Sequence, residues 1–123
     1  MGKKKFINGS FFESVKRASI GLYRAITTEK NYFIYFINVI ATSALNIYFE
    51  FTPTEWLIYA LTVAGVFAAE CFNTAIEKLC DIVCDNYHEG IKFVKDVASA
   101  GVLCFGIVFY LTEIILVGVR FFA

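Results

Sequence analysis

Charge all but vanishes from three stretches of this chain. Residues 33–49 carry none, residues 56–72 carry only Glu70, and residues 97–119 carry only Glu113. An apolar run of about 20 residues can cross the hydrocarbon core of a bilayer as a helix, where every backbone amide is satisfied internally. The first two runs fall slightly short and must borrow flanking positions. With 59% apolar residues, 14 Phe, 7 Tyr and a single Pro, the chain is too hydrophobic for a soluble domain and has no low-complexity tract. The first run starts too late for a cleaved signal peptide, and no small-residue cleavage site follows it. The pattern predicts one all-α membrane domain over residues 1–123, with three transmembrane helices at about 32–50, 55–80 and 95–119.

The basic residues set the orientation. Seven of the 11 (Lys3, Lys4, Lys5, Lys16, Arg17, Arg24, Lys30) precede the first span, and Lys78, Lys92 and Lys95 lie between the second and third. The connection 50–55 has none, so the N-terminus and the 78–96 segment are expected in the cytoplasm and the Pro53 turn outside. Arg120 alone dissents. Ahead of the first span, Phe11, Val15, Ala18, Leu22 and Ile26 form one apolar stripe beside Lys16, Arg17 and Arg24. That stripe predicts an amphipathic surface helix, about 6–28, lying in the inner interface. A soluble helix packed on a neighbour would show the same pattern.

Within the second run the sequence reads Ala-Ala-Glu-Cys-Phe-Asn-Thr-Ala-Ile-Glu-Lys, ending at Lys78. Glu70, Asn73, Thr74 and Glu77 fall at i, i+3, i+4 and i+7, on one helical face that Asp81 continues. A carboxylate at membrane depth costs a few kcal/mol, and two on one face repel each other. A polar seam between helices explains one such residue; two carboxylates and an Asn in register point to a metal ion or polar substrate. Beyond them Lys92, Lys95, Asp96 and Ser99 gather on one side of the next helix. Gly90 marks a break, with Asn86-Tyr87-His88 in the turn. Cys80 and Cys84, one turn apart near Asp81, Asp85 and His88, suggest a soft-metal site, but no second Cys pair follows at zinc spacing, so a structural role is favoured.

An acidic face meeting a lysine-bearing one at the cytoplasmic interface suits phosphate chemistry. Carboxylates without sulfur or several His favour a hard cation such as magnesium, which holds polyphosphate while keeping some waters. A lysine neutralises phosphate as a point charge. A further carboxylate near a hydroxyl can serve as general base. Neither a P-loop nor a kinase Gly-rich loop is present, so any use of ATP belongs to neither large class.

Glu70-x-x-Asn73-x-Ala75-Ile76-Glu77, followed by Asp81, His88, Lys95-Asp96 and Ser99-Ala100, resembles the prokaryotic diacylglycerol kinase family of small three-span lipid kinases. Upstream, Gly21-Leu22 and Thr28-Glu29-Lys30-Asn31-Tyr32 match as well, and the resemblance covers about residues 12–117. It implies a multi-pass protein of the bacterial cell membrane, a homotrimer with active sites between protomers near the cytoplasmic face, with no nucleic-acid partner. Carried over, Glu70 is the general base acting on the lipid hydroxyl. Glu29 and Glu77 are ligands of a magnesium ion that bridges the phosphates of ATP. Arg17, Asn86, Tyr87, His88, Lys95 and Asp96 contact the nucleotide together with Glu29 and Glu77. Asn73 and Asp81 support the carboxylates, and Ser99 touches the lipid. Two positions depart from the family: Arg17 stands where an aromatic is usual, and Ser10 replaces an expected arginine. The Thr28–Tyr32 stretch looks closer to the branch that phosphorylates undecaprenol than to the branch acting on diacylglycerol.

Two other classes compete. A small ion-coupled transporter would also place Glu70 and Glu113 in spans, but has no need of the Asn86-Tyr87-His88 and Lys95-Asp96 cluster outside them. A non-catalytic assembly subunit explains the aromatic spans but not two registered carboxylates.

Overall fold

The computed structural model describes residues 9–123, and those residues form four α-helices and no strand. They are α1 (Phe11–Thr28), α2 (Lys30–Tyr48), α3 (Pro53–Val83) and α4 (Glu89–Phe121). Residues 6–8 of the expected surface helix lie outside the described residues. Ser10, the departure from the expected arginine, is the N-cap of α1: its Oγ accepts from the Glu13 amide at 3.4 Å.

Between α1 and α2 the helix breaks at a single residue. Glu29 is extended (φ −107°, ψ 124°), although its N–H still bonds to the Ala25 carbonyl at 3.0 Å. The cause is local. Thr27 and Thr28 turn their hydroxyls back onto the Tyr23 and Arg24 carbonyls at 2.9 and 2.7 Å, which competes with helix continuation. The opposite hairpin is sharper. Glu50 takes φ 52°, and a capping box of Thr52 and Glu55, with Pro53 at the first helical position, starts α3.

The antiparallel pair α3–α4 forms the centre of the molecule. It is tied at one end by Lys95–Asp81 (2.7 Å) and at the other by Arg120–Glu55 (2.6 Å). Tyr59, Val66 and Phe109 are the buried core between them, with Tyr35, Trp56 and Val63 against it. Gly65 permits the approach, since a Cβ there would lie 2.5 Å from the Phe105 ring. The long side chains of α2 bridge to this pair. Phe67 sits among the rings of Tyr32, Tyr35 and Phe36, and the Tyr59 hydroxyl donates to the Val39 carbonyl at 3.1 Å.

Most large apolar side chains face outward, as they do in a protein solvated by lipid. By length and composition α3 and α4 are able to cross a membrane. No residue of α1 is buried, and its apolar stripe, from Phe11 through Val15 to Leu22, is open to the surroundings.

Candidate active site

Glu70 is 2% exposed and both of its oxygens are held. Asn31 Nδ2 donates to Oε1 at 3.2 Å, and the Tyr35 hydroxyl donates to Oε2 at 3.5 Å. These donors sit one turn apart on α2, so the start of α2 lies along α3 at the level of Glu70. Tyr32, fully buried between them, places its hydroxyl 3.2 Å from Thr74 Oγ1 and donates to Cys71 Sγ at 3.7 Å.

One turn toward the chain's polar end, Asn73 is buried and donates from Nδ2 to Glu77 Oε1 at 3.3 Å. Its carbonyl oxygen, Asn73 Oδ1, is buried without a partner. Glu29, at the joint of α1 and α2, accepts from Lys78 Nζ at 2.9 Å, which brings that joint to α3 beside Glu77. Oxygen donors therefore collect here from two elements. Among the described residues there is no cluster of three His, Cys, Asp or Glu. Magnesium needs no such cage, because it is commonly held by one or two carboxylates with phosphate and water completing the shell. Glu29, Glu77 and the unpartnered Asn73 oxygen fit that donor set.

Further along, Asn86, Tyr87, His88, Lys95 and Asp96 line one open pocket of about 780 Å³, together with Asp81 and Lys92. The Lys95 ammonium hydrogen-bonds Asp81 and holds its carboxyl below the ordinary carboxylate range. Lys92 pairs with Asp96 one turn on. The turn spans 84–88 and contains Asn86-Tyr87-His88 as expected, but the helix does not break at Gly90. His88 is the N-cap of α4 and its Nδ1 accepts the Gly90 N–H at 3.0 Å, so Gly90 lies inside the first helical turn. Cys84 Sγ donates to the Asn86 carbonyl at 3.3 Å, which shapes the same turn.

Ser99 lies elsewhere, in an open groove of about 1250 Å³ between α2 and α4 that Asn31 and Tyr35 also line. Arg17 lies on a different element from the other nucleotide-site residues. It sits on the exposed part of α1, roughly 18 Å along the helix axis from Glu29 and outside the lining of the Asn86–Asp96 pocket.

Against known proteins, residues 16–117 match the sequence model of the family described as prokaryotic diacylglycerol kinase. The chain belongs to that family. It is 32% identical over 98 residues to the undecaprenol kinase of Bacillus subtilis (strain 168), an alignment covering 80% of each chain. No solved structure matches. The chain is thus a lipid kinase of the prokaryotic diacylglycerol kinase family, similar to its undecaprenol kinase branch. The transporter and assembly-subunit readings fall away. All the site residues from Arg17 to Ser99 lie inside the matched range.

Three partners in this site have no role assigned by the sequence alone: Asn31, which only matches the family, Tyr35, and Lys78, which bears only on topology. A signal for the first two is present in the sequence: Asn31 and Tyr35 are i and i+4, polar residues on one face at the start of a helix that carries no charge beyond Lys30.

Proposed function

We propose that the chain transfers the γ-phosphoryl group of ATP to the hydroxyl of undecaprenol at the cytoplasmic face of a bacterial membrane, giving undecaprenyl phosphate. One observation carries this reading: a buried carboxylate, Glu70, is held on both oxygens by residues that line an apolar groove open along α2 and α4. A lipid lying in that groove with its hydroxyl at Glu70 has its chain among apolar side chains and its head near the polar pocket.

Glu70 accepts the hydroxyl proton as the oxygen–phosphorus bond forms, the bond to the β-phosphate oxygen breaks, and ADP leaves. Asn31 and Tyr35 keep the accepting oxygens aimed, a matter of positioning more than of covalent chemistry. Lys95, His88 and their neighbours receive the nucleotide, and Ser99 contacts the lipid. Asn73 and Asp81 support the carboxylates, Asn73 through Glu77 and Asp81 through Lys95. Arg17 stays assigned to the nucleotide from the family pattern. Glu29 and Glu77 would hold a magnesium ion, which would supply positive charge against the polyphosphate.

The architecture we propose has three spans, with α2 as the third. At roughly 28 Å it matches the hydrocarbon thickness. Its polar residues turn toward α3 and α4, while Phe33, Ile37, Ile40 and Ile47 face outward. α1 serves as the amphipathic surface helix. The assembly is a homotrimer, as the family resemblance implies, and one domain spans residues 1–123.

Label transfer from ATP to extracted lipid, run in parallel on undecaprenol and diacylglycerol, tests the proposal. Undecaprenol is expected to be phosphorylated at least about tenfold faster, a preference worth about 1.4 kcal/mol. Equal or better use of diacylglycerol overturns the choice of lipid.

A further inference from the structure

Glu113 is the one charged residue of its apolar run, and phosphoryl transfer makes no use of it. It is 6% exposed, and Asn46 on α2, 0% exposed, donates from Nδ2 to its Oε1 at 3.3 Å. The remaining polar atom of each side chain, Asn46 Oδ1 and Glu113 Oε2, is buried without a partner. Both leftover atoms are oxygens, so an ionised carboxylate sets acceptor against acceptor with no donor between them. No lysine or arginine among the described residues pairs with Glu113. Arg120, two turns further along α4, is held by Glu55 at 3.2 and 2.6 Å. A bare carboxylate and two unsatisfied oxygens at membrane depth are each costly. One proton on Oε2 removes all three faults: the charge disappears, Oε2 becomes a donor, and Asn46 Oδ1 gains its partner.

We propose that Glu113 is carried as a neutral carboxylic acid in a reciprocal two-hydrogen-bond pair with Asn46, and that this pair fastens α2 to α4 so that the far end of α2 stays aligned on Glu70. α2 presents Asn31, Tyr35, Asn38, Thr42 and Asn46 at i, i+4, i+7, i+11 and i+15, a single stripe along one face. At one end of the stripe Asn31 and Tyr35 hold Glu70; midway Tyr110 donates to Asn38 Oδ1 at 2.9 Å; at the other end Asn46 meets Glu113. A helix turns as a body, so the rotation that seats Asn46 against Glu113 is the rotation that seats Asn31 and Tyr35 against Glu70. Glu113 and Asn46 are positioning residues. The protonated pair stands on the burial geometry alone, whereas the positioning role rests on the proposed part of Glu70 in catalysis.

Infrared difference spectra of the full-length protein in lipid vesicles, wild type against Glu113→Gln, test the pair directly. A protonated-carboxyl band present only in the wild type is expected; a carboxylate band in its place overturns the neutral pair. Glutamine reproduces the donor and acceptor of the neutral acid, so Glu113→Gln is expected to keep its unfolding temperature and its turnover within about twofold. Glu113→Leu cannot make the pair. It is expected to lose turnover about three- to tenfold, the worth of an interhelical hydrogen bond or two, at unchanged KM for ATP. If Gln fails as badly as Leu, the site needs a charge and the proposal is overturned. If Leu lowers the unfolding temperature but leaves turnover intact, the positioning role is overturned. Should Glu113→Leu not fold, the band and the Gln variant decide. Failure of the kinase reading looks different: no lipid is phosphorylated by the wild type, while the protonated-carboxyl band is still present.

Discussion

Burial to 2% exposure makes Glu70 the residue whose neighbours matter most, because its carboxylate depends on Asn31 and Tyr35 for hydrogen bonds. Glu70→Gln keeps size and most hydrogen bonding but removes the proton acceptor. Turnover is expected to fall about two to four orders of magnitude, the worth of a positioned base, with binding of a labelled ATP analogue little changed. Loss of that binding would move Glu70 into the metal site. Glu77 lies seven residues on, about 10 Å along the axis, too far for both to ligate one ion comfortably. Asn31→Leu strips the donor from Oε1 and is expected to cost about tenfold to a hundredfold in turnover, in line with a hydrogen bond to a charged group. The two carboxylates proposed to hold magnesium call for a different assay. Glu29→Gln and Glu77→Gln are expected to lose activity at low magnesium and regain part of it as magnesium is raised; near-full turnover of either at low magnesium rules out its ligand role. Glu29→Gln also loses the ion pair with Lys78, whereas the glutamine carbonyl of Glu77→Gln can still accept from Asn73 Nδ2, so rescue is expected to be less complete in the first.

At the scale of helices, packing depends on how closely α3 and α4 approach at Gly65. An alanine there brings its Cβ against the Phe105 ring, and Phe105, 45% exposed, has room to swing aside at a cost near the low end of overpacking. Alanine also gains about 0.5–1 kcal/mol over glycine within a helix. Gly65→Ala is therefore expected to be mildly destabilising with Phe105 present and stabilising in the Phe105→Ala background, with a coupling of about 1 kcal/mol. Unfolding of the four proteins of this cycle in detergent measures it, and additivity would mean that the close approach carries no strain. The same scale shows what a sequence can and cannot carry. The column Glu70, Asn73, Glu77 follows from the 3.6-residue period, because its members are neighbours on one helix. The pairing of that column with Asn31 and Tyr35 does not, since no period within α3 specifies which face of α2 meets it. Likewise Gly90 looks like a breaker in isolation. Only the cap made by His88 shows that the helix has already begun.

Across the whole molecule, the distribution of charge bears on which end faces which side. Ten of the 11 Lys and Arg residues lie at or before Lys30, the first residue of α2, or within residues 78–95, and Arg120 is the single basic residue at the other end. The structure supplies the reason that Arg120 is a weak dissenter: its guanidinium grips Glu55 at the start of α3 through two hydrogen bonds, 3.2 and 2.6 Å long. A basic side chain so paired is part of a helix-end clamp, joining the hairpin before α3 to the last turn of α4. The helices α3 and α4, at about 46 and 50 Å, are longer than a hydrocarbon core of about 30 Å. Their polar ends at Asp81 and Lys95 therefore have length to spare beyond the core, where we place the nucleotide, while Glu70 lies deeper along α3. With α2 as the proposed third span, the positive-inside rule would put the N-terminus and this polar end in the cytoplasm and the C-terminus outside. A periplasm- or surface-active reporter fused after Ala123 is expected to be active, and a cytoplasm-active one silent. Arg120→Glu, which removes the lone outer basic residue, is expected to leave that topology unchanged while lowering stability through repulsion from Glu55. A cytoplasmic signal from the fusion after Ala123 would mean that α2 does not cross, and the polar stripe of α2 would then need a role other than facing inward within a bundle.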